Sequence, residues 1–283
     1  YGGKAYMDYR ELLADPNVDI VYNPLPNHLH KEWSIKAAQA GKHVLCEKPI
    51  ALNAADATEM VATFRGAGLK LAEAFQWRHH PQGLRMRELL VSGVIGEARM
   101  IDAGFSFMLT RPDDVRWVPA FGGGSLYDVG CYPISFVRFI MGMEPTSVTA
   151  QIHWNESGVD DLVVATLEFP NGVLAHINCS FILPLRRYYE VIGSTGGLYS
   201  NKTYNPRGDG ETILRMEADR QVVETIPLPQ VDSYVLMAED FNMAILANRP
   251  TTYPAEDAIA NMQVIDAIFM AAREGRCVDV GTV

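Results

Sequence analysis

The run Val18-Asp19-Ile20-Val21-Tyr22-Asn23-Pro24-Leu25-Pro26-Asn27 sets the fold class. Its β-rich start predicts a short buried strand, and its prolines predict a rigid loop after that strand. Outward from it, residues 30–40 read as a helix, with Trp33, Ile35, Ala37 and Ala38 available for burial and Gly41 as the stop. His43-Val44-Leu45-Cys46-Glu47 is a second short strand, broken at Pro49. Asn53 is an N-cap for a helix that runs through Arg65, with Gly66 past its end, and residues 69–75 form a third strand. A short helix over residues 8–15 precedes the first strand. Strands alternating with helices at this spacing imply βαβ units and a parallel sheet, where ligands bind beyond the carboxyl ends of the strands. Two such ends carry reactive or rigid residues: 24–30 and Glu47-Lys48-Pro49.

After about residue 95 the rhythm changes. Residues 98–108, 147–154, 162–169, 172–181, 187–192 and 212–217 are strand-like, and turn signals such as Pro170-Asn171-Gly172 favour antiparallel pairing. Helices are expected over 125–141, 233–247 and 254–274, a tight turn over 193–197 and a loop over 203–210. The expected class is α/β plus α+β: a parallel sheet, then a mostly antiparallel sheet with helices on one face.

A chain of 283 residues can hold one large domain or two ordinary ones. With 48% apolar and 20% charged residues it is not a disordered polymer. Twenty-four basic against 34 acidic residues give a net charge of −10 without a clustered basic face, which argues against nucleic acid as a partner. The four cysteines are scattered, so reduced thiols in the cytoplasm are expected and a zinc site is not. His28, His30, His79 and His80 lack acidic or cysteine partners at ligand spacing, so no metal is expected. No apolar run reaches the roughly 20 residues that span a bilayer, so no membrane association is expected.

Two segments carry candidate chemistry. Lys48, at a strand end and followed by proline, offers an ammonium able to polarise an oxygen; read alone, Glu47-Lys48 is equally a surface pair. Gly122-Gly123-Gly124 lets backbone approach a ligand closely, and Asp128 and Tyr132, spaced i, i+4, share one helix face. A carboxylate beside a phenol can orient a hydroxyl and relay its proton. The other reading is a glycine loop that starts a helix, with Asp128 complementing the helix dipole.

Taken in order, Asn23-Pro24-Leu25-Pro26-Asn27 with His30, Glu47-Lys48-Pro49, and Gly-Gly-Gly-x-x-x-Asp128-x-Gly130-x-Tyr132 resemble the glucose-fructose oxidoreductase / inositol dehydrogenase (Gfo/Idh/MocA) family of NAD(P)-dependent sugar oxidoreductases. Tyrosine at 132 is nearest to the dihydrodiol / D-xylose dehydrogenase-like branch. The resemblance implies that Lys48 touches nicotinamide and substrate, and that Asp128 and Tyr132 bind substrate hydroxyls and move the proton. It implies cofactor contacts from Leu25, Pro26, Asn27, His30, Glu47, Lys48, Arg116 and Trp117, with NADP favoured over NAD. Members open with a strand, a Gly-x-Gly-x-x-Gly turn and a helix; here the first residue is Tyr1, and upstream sequence carrying that pyrophosphate-binding unit is expected.

The expected division is residues 1–76 as the C-terminal part of a Rossmann domain and 77–283 as a substrate-binding and oligomerisation domain. The expected function is hydride transfer between nicotinamide and a sugar, polyol or diol in a cytoplasmic homodimer or homotetramer, joined through an open sheet face. The alternatives are an NAD-dependent glycosidase on the same fold and a non-catalytic sugar or dinucleotide sensor.

Overall fold

The computed structural model describes residues 2–204 and 212–281; of the loop expected at 203–210, residues 205–210 lie outside the described residues. After α1 (Tyr9–Ala14), three short strands form a parallel sheet in the order β1-β2-β3: β1 (Ile20–Asn23), β2 (His43–Cys46) and β3 (Leu71–Glu73). The crossovers are α2 (His30–Gln39) and α3 (Ala54–Ala67). Asn53 caps α3 as its type predicts, its Oδ1 accepting the Asp56 N–H at 2.8 Å. The stop is Gly68 at φ +67°, not Gly66, because Gly68 is the residue that takes the left-handed conformation.

The larger sheet has nine strands, in the order β11-β10-β9-β8-β4-β7-β6-β5-β12. They are β4 (Ala98–Ser106), β5 (Ser147–Trp154), β6 (Asp160–Glu168), β7 (Leu174–Ser180), β8 (Arg186–Gly193), β9 (Gly196–Ser200), β10 (Thr212–Glu217), β11 (Val222–Pro227) and β12 (Val278–Asp279). Pairing is antiparallel throughout except at its centre, where β4 runs parallel to β7 from Met100↔Leu174 to Ser106↔Ser180. The turn signals mark hairpins between sequence neighbours, and β4 and β7 are not neighbours. Strands β9, β11 and β12 and the helix α4 (Pro81–Val91) have no counterpart in the sequence expectations. Residues 194–195 make the tight turn between β8 and β9.

The helix expected over 125–141 is divided. Leu126–Gly130 is a π-helical turn, and α5 (Cys131–Met141) follows it. Pro133 lacks the N–H that would bond the Val129 carbonyl, which favours a widened turn at this point. Gly130 lets the turn lie on β7, since a Cβ there would stand 2.7 Å from Cys179 Sγ.

Helices α5 and α7 (Glu256–Glu274) lie on one face of the large sheet, and α7 also meets α3. α6 (Ser233–Leu246) covers Leu45 of β2 and Ala74, just past β3, through Met237 and Phe241. One apolar core runs from Val44 and Phe64 through Trp77 and Met86 to Ile101, Ile177 and Ile268. At the seam, buried Arg138 bonds Glu144, Asp257 and Asn261. Among the described residues no helix is long and apolar enough to cross a membrane.

Phe136 of α5 is fully buried and stacks on Tyr189 of β8, ring centroids 3.8 Å apart. Phe136→Ala is expected to cost about 3–5 kcal/mol of unfolding free energy in a urea titration. A cost below about 1 kcal/mol would mean that this contact does not hold helix to sheet.

Candidate active site

The site forms where the ends of β1 and β2 meet the segment before α5. Asn23, the last residue of β1, donates to the His30 carbonyl at 3.2 Å and to Ser34 Oγ at 3.0 Å, fixing the proline loop onto α2. His30 is buried between two loops, with Nδ1 2.8 Å from the Pro49 carbonyl and Nε2 2.7 Å from the Leu25 carbonyl. Burial pulls its pKa down against both carbonyls. At the end of β3, Glu73 accepts the Ile50 N–H at 2.8 Å, and burial pushes its carboxyl up to about 7 while Arg78 pulls it down.

The triglycine packs closely against neighbouring loops. Asn27 Nδ2 donates to the Gly122 carbonyl at 2.8 Å, and a Cβ on Gly122 (φ +73°) would lie 2.3 Å from Leu52 Cδ2. A Cβ on Gly123 would lie 2.5 Å from the Arg116 carbonyl oxygen. These two glycines thus approach neighbouring loops and, with Gly124, also line the cleft that opens beside Lys48.

Lys48 Nζ donates to the Asp128 carbonyl at 2.8 Å and to Asp128 Oδ1 at 2.9 Å. The other carboxylate oxygen, Oδ2, accepts Arg116 Nε at 2.7 Å. The Lys48 and Asp128 side chains are only 13% and 14% exposed. Burial acts to lower the Lys48 pKa, but the Asp128 carboxylate outweighs it and holds the ammonium well above its ordinary range. Burial acts to raise Asp128, but Lys48 and Arg116 outweigh it and hold the carboxyl low. Tyr132 lies beside the lysine, which sits 5.2 Å from its ring centroid. Its ring edges meet Phe75 and Phe105, and its hydroxyl has no hydrogen-bond partner among the described residues. Burial pushes this phenol's pKa up, and the Lys48 ammonium pulls the other way.

Beside these groups opens a cleft of about 350 Å³. Of the residues singled out by sequence, Leu25, Pro26, Asn27, His30, Glu47, Lys48, Arg116, the three glycines 122–124 and Asp128 line it. Tyr132 sits behind Lys48 and is not part of that lining, and Trp117 turns away to pack on Phe181 and donate to the Arg111 carbonyl. Tyr22, Val115 and Phe121 line the cleft without having been singled out. Tyr22 precedes Asn23 at the strand end and its hydroxyl bonds Glu47, so strand-end position is a signal that could have found it.

Removing Asp128 leaves two cations without their shared counterion, so Asp128→Ala is expected to cost about 3–5 kcal/mol at pH 7. The carboxyl pKa is depressed in the folded state, so its contribution is complete above the unfolded value of about 3.9 and is lost as pH falls through the folded value. Urea unfolding of parent and variant should therefore differ at pH 7 and converge in acid. A gap that does not close in acid would contradict this source of stability.

Residues 1–75 match a family model described as an oxidoreductase family with an NAD-binding Rossmann fold, and residues 84–199 match that of the GFO/IDH/MocA C-terminal domain. D-xylose 1-dehydrogenase (NADP(+)) 2 of Haloferax volcanii is 35% identical over 277 residues, covering 98% of this chain and 85% of the relative. Trans-1,2-dihydrobenzene-1,2-diol dehydrogenase of Mus musculus is 39% identical over 205 residues, covering 72% of this chain and 61% of the relative. The crystal structure of a 3-ketoreductase from Actinomadura kijaniata in complex with NADP and TDP-benzene matches with a TM-score of 0.91 at 33% identity, over 95% of this chain and 83% of that one. The three-stranded parallel sheet is thus part of an NAD-binding Rossmann domain, and the chain belongs to the Gfo/Idh/MocA family of oxidoreductases.

Proposed function

We propose that this protein transfers hydride between a nicotinamide dinucleotide and a hydroxyl- or carbonyl-bearing carbon of a sugar, polyol or diol, with Lys48, Asp128 and Tyr132 as its acting side chains. The observation that carries this reading is the meeting of Lys48 and Asp128, 80 residues apart in sequence, at one cleft beside Tyr132. Residues 1–76 then form the cofactor side and residues 77–283 the substrate side. NADP is favoured over NAD, supported by the NADP in the names of the xylose dehydrogenase and the ketoreductase complex.

The residues present fit a nicotinamide group. An ammonium has three N–H donors, and Lys48 directs two of its own at Asp128, leaving one for a ligand oxygen. Pro24, Leu25 and Pro26 supply an apolar wall for a flat ring, and Arg116 a second cation. When bound, the dinucleotide supplies or takes the hydride. In reduction, Tyr132 gives its hydroxyl proton to the substrate oxygen as the carbonyl carbon gains hydride; the raised pKa keeps that proton in place at neutral pH. Lys48 stabilises the phenolate left behind, which regains a proton from solvent. In oxidation the Tyr132 proton leaves to solvent first, and the phenolate, stabilised by Lys48, takes the substrate hydroxyl proton as the carbon gives up hydride. Asp128 holds Lys48, and the remaining lone pairs of its oxygens accept from a neighbouring substrate hydroxyl.

The sheet face opposite α5 and α7 carries Met100, Val164 and Leu174 at 39%, 38% and 46% exposure, which supports a second copy as its cover. A reducing compartment such as the cytoplasm suits the four free thiols.

A panel of sugars and diols assayed for NADP(H) turnover tests the reading. Tyr132→Phe and Lys48→Ala are each expected to lower kcat by about 10²–10⁴-fold while dinucleotide binding persists. Turnover within a few-fold of the parent for both variants would remove the site assignment. Glycoside cleavage without net redox change, or sugar binding without turnover, would overturn the reaction.

A further inference from the structure

We propose that Asp160, the first residue of β6, is a positioning residue for the hydride-transfer site, its carboxylate fixing the turn that presents Asp128 and Tyr132. This rests on the site reading above. Asp160 is 1% exposed, and its Oδ2 accepts two donors at the start of the helical segment: the Leu126 N–H at 2.6 Å and the Ser125 hydroxyl at 2.9 Å. Gly124 makes the approach possible. It sits at φ +116°, and a Cβ there would lie 2.1 Å from Asp160 Oδ1.

These bonds lead directly to the catalytic pair. The Leu126–Gly130 turn is held at one end by Asp160 and internally by the Asp128 N–H on the Gly124 carbonyl at 3.2 Å. Lys48 then reads the turn twice, through the Asp128 carboxylate and through its backbone carbonyl. A rotation of the Asp128 side chain cannot restore the second contact if the backbone has moved. Burial pushes the Asp160 carboxyl up to about 7, and the Leu126 N–H and Ser125 hydroxyl, bonded to it in a charge-assisted geometry, pull it down. The Asp160 and Ser125 backbone N–H groups also act on the carboxylate, so an asparagine that keeps both Oδ2 bonds sets its NH₂ against donors.

The test is Asp160→Asn, made in the parent and in Asp128→Ala, with kcat and KM measured for both substrates. In the parent background kcat should fall by about 10²-fold, the scale of an ångström-sized misplacement, with KM for NADP within about twofold. In the Asp128→Ala background the same change should cost clearly less, about tenfold, because the carboxylate contact is gone while the residue 128 carbonyl and Tyr132 are still presented. Equal losses in both backgrounds would mean a general structural role and overturn the proposal, as would an unchanged kcat in the parent. Should Asp160→Asn fail to fold, Ser125→Ala removes one of the two donors and should show the same background dependence at roughly tenfold.

A second readout does not require turnover. The Lys48 titration, followed by NMR of a ¹³C-labelled side chain, should move down in Asp160→Asn as Asp128 leaves the ammonium. A parent without turnover on any sugar would defeat the functional reading alone; an unmoved Lys48 titration would defeat the positioning role alone.

Discussion

The bond between the Lys48 ammonium and Asp128 joins the small parallel sheet to the segment leading into the large-sheet domain, and the cleft exists because they meet. A single buried ion pair is a poor source of stability, since desolvation of both charges rivals their attraction. Here Asp128 faces two cations and Lys48 also reaches a backbone carbonyl, so few of their polar atoms are left without a partner. The arrangement therefore reads as functional preorganisation. It keeps one N–H of a fixed positive charge available beside a protonated phenol, in surroundings where water is scarce.

Much of the fold is legible in sequence because it rests on local chemistry. Asn53 announces α3 by its own side chain, and the strand ends 24–30 and 47–49 are marked by prolines that set backbone direction. Lys48 and Asp128 are recognisable because their residue types sit where parallel strands and glycine loops deliver ligands. What escapes depends on distant neighbours. α4 opens with Pro81 behind His80, whose Nδ1 accepts the Gln82 N–H at 3.1 Å, but its apolar face is specified by contacts with other elements. The parallel β4–β7 pair joins strands about 70 residues apart, which no turn signal encodes. The π-helical turn needs both Pro133 and the approach of Gly130 to Cys179.

Trp117 and the triglycine show how much of a residue's contact the folded chain already takes up. Trp117 next to Arg116 has the flat surface a cofactor ring would need, yet its indole N–H has a backbone acceptor and its ring an aromatic partner, both inside the protein. Gly122 and Gly123 line the cleft, and the space a Cβ would fill is taken by Leu52 and the Arg116 carbonyl.

The same accounting separates the groups that build the cleft from the groups that can act in it. Asn23, Asn27 and His30 direct polar atoms at backbone or at each other's loops, which makes the walls rigid. Bonding capacity is unspent on one N–H of Lys48, the remaining lone pairs of Asp128, the Nη2 group of Arg116, and the Tyr132 hydroxyl, which has no partner among the described residues. An acceptor site, a donor and a group that can change its protonation are what a carbon bearing one hydroxyl and flanked by another requires. The chemistry of the substrate is thus written in the bonds that the folded protein leaves unmade.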